Sequence, residues 1–263
     1  MAKHKVNYDQ IADTYNLRFE GEKHSKVNRK LISLIEKTQS QTILEVGCGT
    51  GHWLSAIYEL SLPKKRLFGL DLSRGMLSQA HNTSKDLILI QGKANLLPFS
   101  EQSIDMVFCV NAIHHFDKPH QFIREAKRVL TPGGNLAIMG ADPREKDYTW
   151  YVYDYFPGTF ERDLERFPAW STIAYWLIQS DFDLIALENV ETINEIREGY
   201  AVLDDPFLMK HATSQLALLN DEEYAQGLAR IHKALEQYDE EGKASAFQSV
   251  IPLSLLIAQK PIA

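Results

Sequence analysis

The sequence predicts an α/β fold built on a doubly wound, mostly parallel sheet. Three observations carry this. From Ile43 to Gly140, five apolar strand signals alternate with helical patterns or crossovers. The first signal runs directly into a glycine turn and a helix, in ILEVGCGTGHWL (43–54). Beyond Gly140 the chain returns to strand character at Phe182–Ile193 and Gln248–Gln259.

Composition narrows the classes open to the chain. Its 263 residues suit one α/β domain with insertions. Hydrophobic content of 44% and charged content of 24% are those of a soluble globular protein. A net charge of −7 gives no nucleic-acid footprint, and Lys64-Lys65-Arg66 reads as a solvated turn before a strand. No apolar run approaches the roughly 18 residues of a membrane span. The start, MAKHKVNYDQ, lacks the apolar core of a signal peptide. Two cysteines, Cys48 and Cys109, make neither a disulfide framework nor a zinc site. They read as reduced packing residues of a cytoplasmic protein.

Tyr8 to Phe19 places Tyr8, Ile11, Ala12 and Tyr15 on one face of a short helix. Lys26 to Ile35 continues as an amphipathic helix with Val27, Leu31, Leu34 and Ile35 inward. After the first strand, Gly47, Gly49 and Gly51 permit positive φ, and without Cβ they let a ligand lie against backbone. The helix start then offers N–H groups to that ligand. A dinucleotide fingerprint is G-x-G-x-x-G. Here its third glycine position holds His52, and the pattern is E-x-G-x-G-x-G.

Arg66 to Asp71 is a second strand ending in an acid. A carboxylate there can accept from both hydroxyls of a ribose. It can also cap the next helix, although Ser73 fills that role more naturally. Gly75-Met76-Leu77 opens the helix, and Leu87–Gln91 is the third strand. Ser103 to Phe116 is a fourth strand, apolar throughout and so central, ending in Asn111, Ala112, His114 and His115. Adjacent histidines without a third ligand make a poor metal site. Either one is a base or orienter, or both shape the pocket floor. Lys118–Leu130 is the next helix, Thr131-Pro-Gly-Gly134 stops it, and Asn135–Gly140 is the fifth strand. Asp147–Phe182 is dense in aromatic residues. Gly199–Leu219 reads as helical with a break at Asp205-Pro206, and Glu222–Glu240 as a strongly amphipathic helix.

Three segments, ILEVGCGTG, QGKANLLPF and RVLTPGGNLAI, resemble the class I S-adenosylmethionine-dependent methyltransferases of small-molecule, type 11-like kind. The resemblance is specific from Ile43 to Gly140 and loose beyond. It implies a Rossmann-like, seven-stranded sheet with an antiparallel last hairpin, and a helical lid after the fifth strand. One domain then covers 1–263: cap helices (1–40), cofactor core (41–145), aromatic lid (146–181) and the rest of the sheet with a helical insertion (182–263).

The resemblance also assigns roles. Tyr15, second aromatic of a Y-x-x-x-A-x-x-Y segment, covers the cofactor. Glu45, Gly47, Cys48, Gly49 and Gly51 line it, and Asp71 with Leu72 takes the ribose end. Met76 lies against the adenine unless it is simply core, and Ala94 offers its N–H to the ring. Asn111 and Ala112 complete the cofactor side, and His115 and His114 are the catalytic candidates. Tyr8, Tyr151 and Trp176 face the acceptor. One departure stands out: Lys93 replaces the family's adenine-binding Asp, and a lysine cannot accept that bond.

The implied activity is methyl transfer from S-adenosylmethionine to a small, apolar or aromatic metabolite, by a monomer or homodimer with no nucleic acid, membrane or metal involved. The alternatives are an NAD-dependent oxidoreductase, against which His52 argues, and a non-catalytic nucleotide-binding protein of the same fold.

Overall fold

Alternation along the strands decides which way each side chain faces. In β1 (Thr42–Val46), Ile43 enters one buried cluster while Leu44 and Val46 enter another. In β4 (Ile104–Val110), Met106, Phe108 and Val110 join the first cluster, Val107 and Cys109 the second. Both faces are apolar, so helices must cover both. The computed structural model describes residues 6–12, 15–16, 26–60, 65–241 and 246–262.

The chain forms two compact units. The larger comprises Tyr8–Ala141, Pro168–Glu191 and Leu253–Ala263. It holds α1 (Tyr8–Ile11), α2 (Lys26–Lys37), β1, α3 (His52–Leu60), β2 (Arg66–Asp71), α4 (Arg74–Thr83), β3 (Ile88–Gln91), β4, α5 (Pro119–Val129) and β5 (Leu130–Gly140). Later segments add α8 (Trp170–Gln179) and parts of β7 (Asp183–Glu198) and β8 (Ala246–Gln259). Strands β1 to β5 pair in parallel, and β5 pairs antiparallel with β8 from Asn135↔Gln259 to Gly140↔Ser254. With β6 (Thr149–Trp150) included, the strand order is β3-β2-β1-β4-β5-β8-β6, with β7 also on β8. One face packs on α5 and α8 through Phe122, Ile123, Ile173 and Leu177. The other packs on α2 and α3 through Leu31, Ile35, Leu54 and Ile57.

The smaller unit comprises Asp142–Phe167 and Thr192–Pro252 with Met1–Asn7. It contains β6 (Thr149–Trp150), α6 (Val152–Tyr155), α7 (Thr159–Arg166), α9 (Ser214–Ala217) and α10 (Asp221–Glu241). Trp150, Tyr151, Phe156, Leu216, Ile231, Leu235 and Phe247 form its core.

The predicted α/β sheet, with its antiparallel closing strand and a helical insertion after β5, is the observed one, and the two-residue β6 adds an eighth strand. Several boundaries differ. The N-terminal helix ends at Ile11, and Tyr15–Asn16 sit in a tighter 3-10 turn, while 13–14 and 17–19 of the predicted helix lie outside the described residues, as does Lys64 of the basic run. The fourth strand stops at Val110, because Asn111 adopts φ +49 and leaves the extended region. His114 and His115 therefore stand in a one-turn 3-10 helix, Ile113–His115. The fifth strand begins at Leu130, and a register shift against β4 absorbs Thr131–Gly134. Gly199–Leu219 breaks into short turns, with the Asp205 carboxylate accepting the Phe207 N–H beside Pro206.

Candidate active site

In this sheet the strand order reverses between β1 and β4, and ligands of parallel sheets sit beyond the carboxyl ends of the strands at such a point. Two loops meet there. Gly47, Gly49 and Gly51 have φ of +77, +54 and +74, conformations that side chains with a Cβ resist. A Cβ on Gly47 would lie 2.6 Å from the Ala112 Cβ, so the β1 loop touches the β4 loop directly. A Cβ on Gly51 would press on Ala80 of α4 at 3.1 Å. On Gly49 it would meet only Tyr15 Cε1, at 3.9 Å. Gly47 and Gly51 serve close packing, whereas Gly49 presents bare backbone toward Tyr15.

The turn's own N–H groups point into the fold. Gly47 and Cys48 donate to the Leu70 carbonyl at 2.7 and 3.1 Å, and Gly51 donates to that of Cys48 at 2.9 Å. Gly49 donates to Asp71 Oδ2 at 2.8 Å, and Ser73 donates to Asp71 Oδ1 at 2.8 Å. Asp71 thus ties the ends of β1 and β2 together, and each oxygen keeps a further lone pair. Burial pushes its carboxyl up, and the amides of Ser73 and Gly49 oppose that. Ser73 caps α4 as the sequence suggested, accepting the Met76 N–H at 3.1 Å. Leu72 is exposed and Met76 is buried.

Lys93 stands exposed in a turn closed by Leu96 N–H to its carbonyl, with Ala94 half-buried beside it. Sequence reasoning missed what holds this loop. Arg128 of α5 donates to the Phe99 and Leu97 carbonyls at 2.8 and 2.9 Å, and Glu125 accepts the Leu97 N–H at 2.8 Å. Their spacing of one helical turn was the available signal.

Glu45 lies fully buried in β1, between Gly69 and Phe108 on the neighbouring strands. Neither carboxyl oxygen makes a full hydrogen bond among the described residues, although the Leu54 backbone N–H acts on the group. Burial pushes its carboxyl well above the usual range, and the Asp71 charge adds to this. Cys48 and Cys109 are buried free thiols, also pushed up by burial.

The N-terminal segment reaches three of these loops. Tyr8 Oη and His115 Nε2 share a hydrogen bond at 2.7 Å. Tyr15 packs edge-on against Tyr8 at 6.0 Å between ring centroids, and the His114 and His115 rings lie 3.9 Å apart. Asp9 Oδ1 accepts from Ser73 Oγ and from the Gly75 N–H, each at 2.7 Å, and those bonds hold its carboxyl low. Thr50 Oγ donates to Asn16 Oδ1 at 2.5 Å. Asp9 and Asn16 were not singled out from sequence, and contacts 34 to 66 residues away leave no local signal.

The aromatic stretch divides between the units. Trp176 lies on α8, its ring 6.2 Å from that of His120, in the helix layer over α5. Tyr151 is buried in the smaller unit and donates to Asp205 Oδ2 at 2.9 Å, with Arg197 Nε 3.2 Å from the same oxygen. Among the described residues no group of His, Cys, Asp or Glu could hold a metal ion, and no helix is long and apolar enough to cross a membrane.

Comparison with known proteins agrees with this geometry. Residues 44–138, from β1 through most of β5, match the family described as Methyltransferase domain. A malonyl-[acyl-carrier protein] O-methyltransferase of Hahella chejuensis is 37% identical over 153 residues, 56% of this chain and 54% of that protein. The match therefore spans about half of that relative's length. A demethylmenaquinone methyltransferase of Thermotoga maritima is 26% identical over 80% of this chain and 93% of its own. Among solved structures, a SAM-dependent methyltransferase from Aquifex aeolicus superposes with a TM-score of 0.54 at 18% identity, over 71% of this chain and 94% of that one, a likeness of fold. The stretch that holds the glycine turn, the acid ending β2 and the parallel strands is thus similar to the methyltransferase domain family, and S-adenosylmethionine is the methyl donor that this similarity implies.

Proposed function

We infer that the protein transfers the methyl group of S-adenosylmethionine to a small, apolar or aromatic acceptor bound at the carboxyl ends of β1 and β4. The observation that carries this is the meeting of the Gly47–Gly51 turn with the Ala112–His115 turn, flanked by Tyr8 and Tyr15. The residues fit the donor. Gly49 leaves room where a Cβ would intrude, and Asp71 stands at the strand end suited to a ribose diol. Glu45 brings a buried carboxyl that the Leu54 N–H satisfies only in part, an arrangement that a bound cationic group would relieve. Leu72, Met76 and Ala94 fall on the adenine side in this reading, Cys48 and Asn111 beside the glycine turn.

When bound, the donor supplies a methyl carbon already carrying its leaving group. The chain's task is alignment and exclusion of water, and alignment of this kind supplies roughly 7–11 kcal/mol. The rings of Tyr8, Tyr15, His114, His115 and Phe116 at one strand end favour an apolar or aromatic acceptor. Two relatives act on demethylmenaquinone and on a malonyl carrier protein by name, which brackets the acceptors worth trying first. A dinucleotide reading fits less well. Four N–H groups of the turn are engaged inside the fold, and a pyrophosphate needs such donors.

Calorimetric titration with S-adenosylmethionine and with NAD tests the donor. Labelled methyl transfer to a metabolite extract, read by mass, tests the activity. Binding of NAD in preference to S-adenosylmethionine would overturn the assignment.

A further inference from the structure

We propose that Tyr8 and His115 form one proton relay, and that the acceptor is therefore a hydroxyl compound, a phenol or enol, whose O–H is removed as the methyl arrives. This rests on the methyl-transfer reading above.

The Tyr8 hydroxyl meets His115 Nε2 at 2.7 Å, and their rings stand nearly perpendicular at 5.2 Å. The partners are 107 residues apart in sequence and lie at the strand end where the donor is expected. Both neighbours of the pair are themselves held. Asp9, next to Tyr8, is fastened to the start of α4 by two bonds. His115 is flanked by the His114 ring, and its backbone N–H donates to the Ala112 carbonyl at 2.9 Å. Each member remains partly exposed, so a proton collected there can pass on to water.

With Tyr8 as donor to Nε2, its oxygen keeps lone pairs to accept from a bound hydroxyl. The acceptor O–H then gives its proton to Tyr8 Oη while the Tyr8 proton passes to His115 Nε2. The acceptor oxygen forms its bond to the methyl carbon, and the electron pair of the broken carbon–sulfur bond stays with sulfur. Tyr8 ends unchanged, and His115 carries the proton until solvent takes it. Such a relay helps only a nucleophile that holds its proton until attack. An amine with a free lone pair gains little from it.

Three probes separate the cases in the intact protein: 1-naphthol, the more acidic 4-nitro-1-naphthol, and 1-naphthylamine. Tyr8→Phe keeps the ring and removes the hydroxyl. We expect its kcat with 1-naphthol to fall about 100-fold or more, within the span of general acid–base catalysis. With 4-nitro-1-naphthol the loss should be far smaller, because that acceptor ionises unaided, and KM should hardly move. His115→Gln should reproduce the pattern. A structural role would depress all acceptors alike, and that result, or an unchanged kcat with 1-naphthol, overturns the relay. Wild-type protein that binds S-adenosylmethionine by calorimetry but methylates only the amine, or none of the three, overturns this inference alone. Failure to bind S-adenosylmethionine overturns the donor reading as well.

Discussion

One oxygen of Asp71 accepts the Gly49 N–H at 2.8 Å, so the acid ending β2 also sets the glycine turn that follows β1. In the proposed ribose role, ligand contact and turn geometry are coupled in one side chain. In Asp71→Ala both S-adenosylmethionine and its demethylated product should bind more weakly, because they share the ribose. Hydrogen bonds to a charged group are worth about 1.5–3 kcal/mol, hence roughly ten- to a hundredfold in affinity. Calorimetry with the two ligands checks it, and an effect on one ligand alone argues against ribose contact.

Gly47 and Gly49 should fail in different ways. At Gly47 a Cβ would overlap Ala112 at 2.6 Å, in addition to its positive φ. Overpacking of this kind costs about 1–3 kcal/mol and left-handed strain roughly 1–2 more. Gly47→Ala should lower Tm clearly. At Gly49 nothing lies nearer than Tyr15 at 3.9 Å, so Gly49→Ala should cost only the strain while cofactor affinity drops. Thermal melts paired with titrations separate the two. Equal Tm losses would mean that the turn has no open side.

These contrasts show where the sequence was legible. Strands β1 to β5 could be read because buried parallel strands are unbroken apolar runs, and Ser73 because a cap acts within one turn. The Gly47, Asp71 and His115 neighbourhood followed from the rule on strand ends. The partners of Tyr8, Asp9 and Asn16 did not, since nothing local marks contacts to residues 34 to 107 positions away. The division of the aromatic stretch was also hidden. Trp170, Ile173 and Leu177 pack on the sheet layer, Trp150 and Tyr151 in the other unit, and composition alone does not tell these apart.

Glu45 makes stability depend on pH. Its carboxyl is raised in the folded protein, chiefly by burial. Above the ordinary carboxylate range the unfolded chain has lost a proton that the folded chain still holds. Ligand-free stability should therefore fall as pH rises through that window, by up to about 1.4 kcal/mol per pH unit for one group. In Glu45→Gln this slope should vanish, and cofactor affinity should fall with it. Melts across about pH 5 to 8 decide the matter, and an unchanged slope assigns the titration elsewhere.

Asp9 and Asn16 fasten the N-terminal segment to the α4 and glycine-turn loops. Neither belongs to the buried core. Asp9→Ala combined with Asn16→Ala should leave Tm near the wild-type value and weaken cofactor binding severalfold, chiefly through faster dissociation. Stopped-flow displacement of the bound ligand reads this directly. Unaltered dissociation would reduce both residues to surface contacts.

Tyr151 presents the sharpest choice between a structural and a substrate role. The resemblance assigned it to the acceptor, yet its ring is 2% exposed and its hydroxyl bonds Asp205, which Arg197 also approaches. The ring sits edge-on to Phe247 at 5.8 Å, within the core of the smaller unit. Truncating a buried aromatic to alanine costs about 3–5 kcal/mol, and removing one donor from a bond to a carboxylate about 1.5–3. Tyr151→Ala should therefore lower Tm strongly and expose the smaller unit to protease, with Tyr151→Phe lying between it and wild type. Turnover should fall only as far as folded protein is lost. If Tyr151→Ala instead melts with the wild type and loses only acceptor turnover, its ring contacts substrate and the core role must be given up.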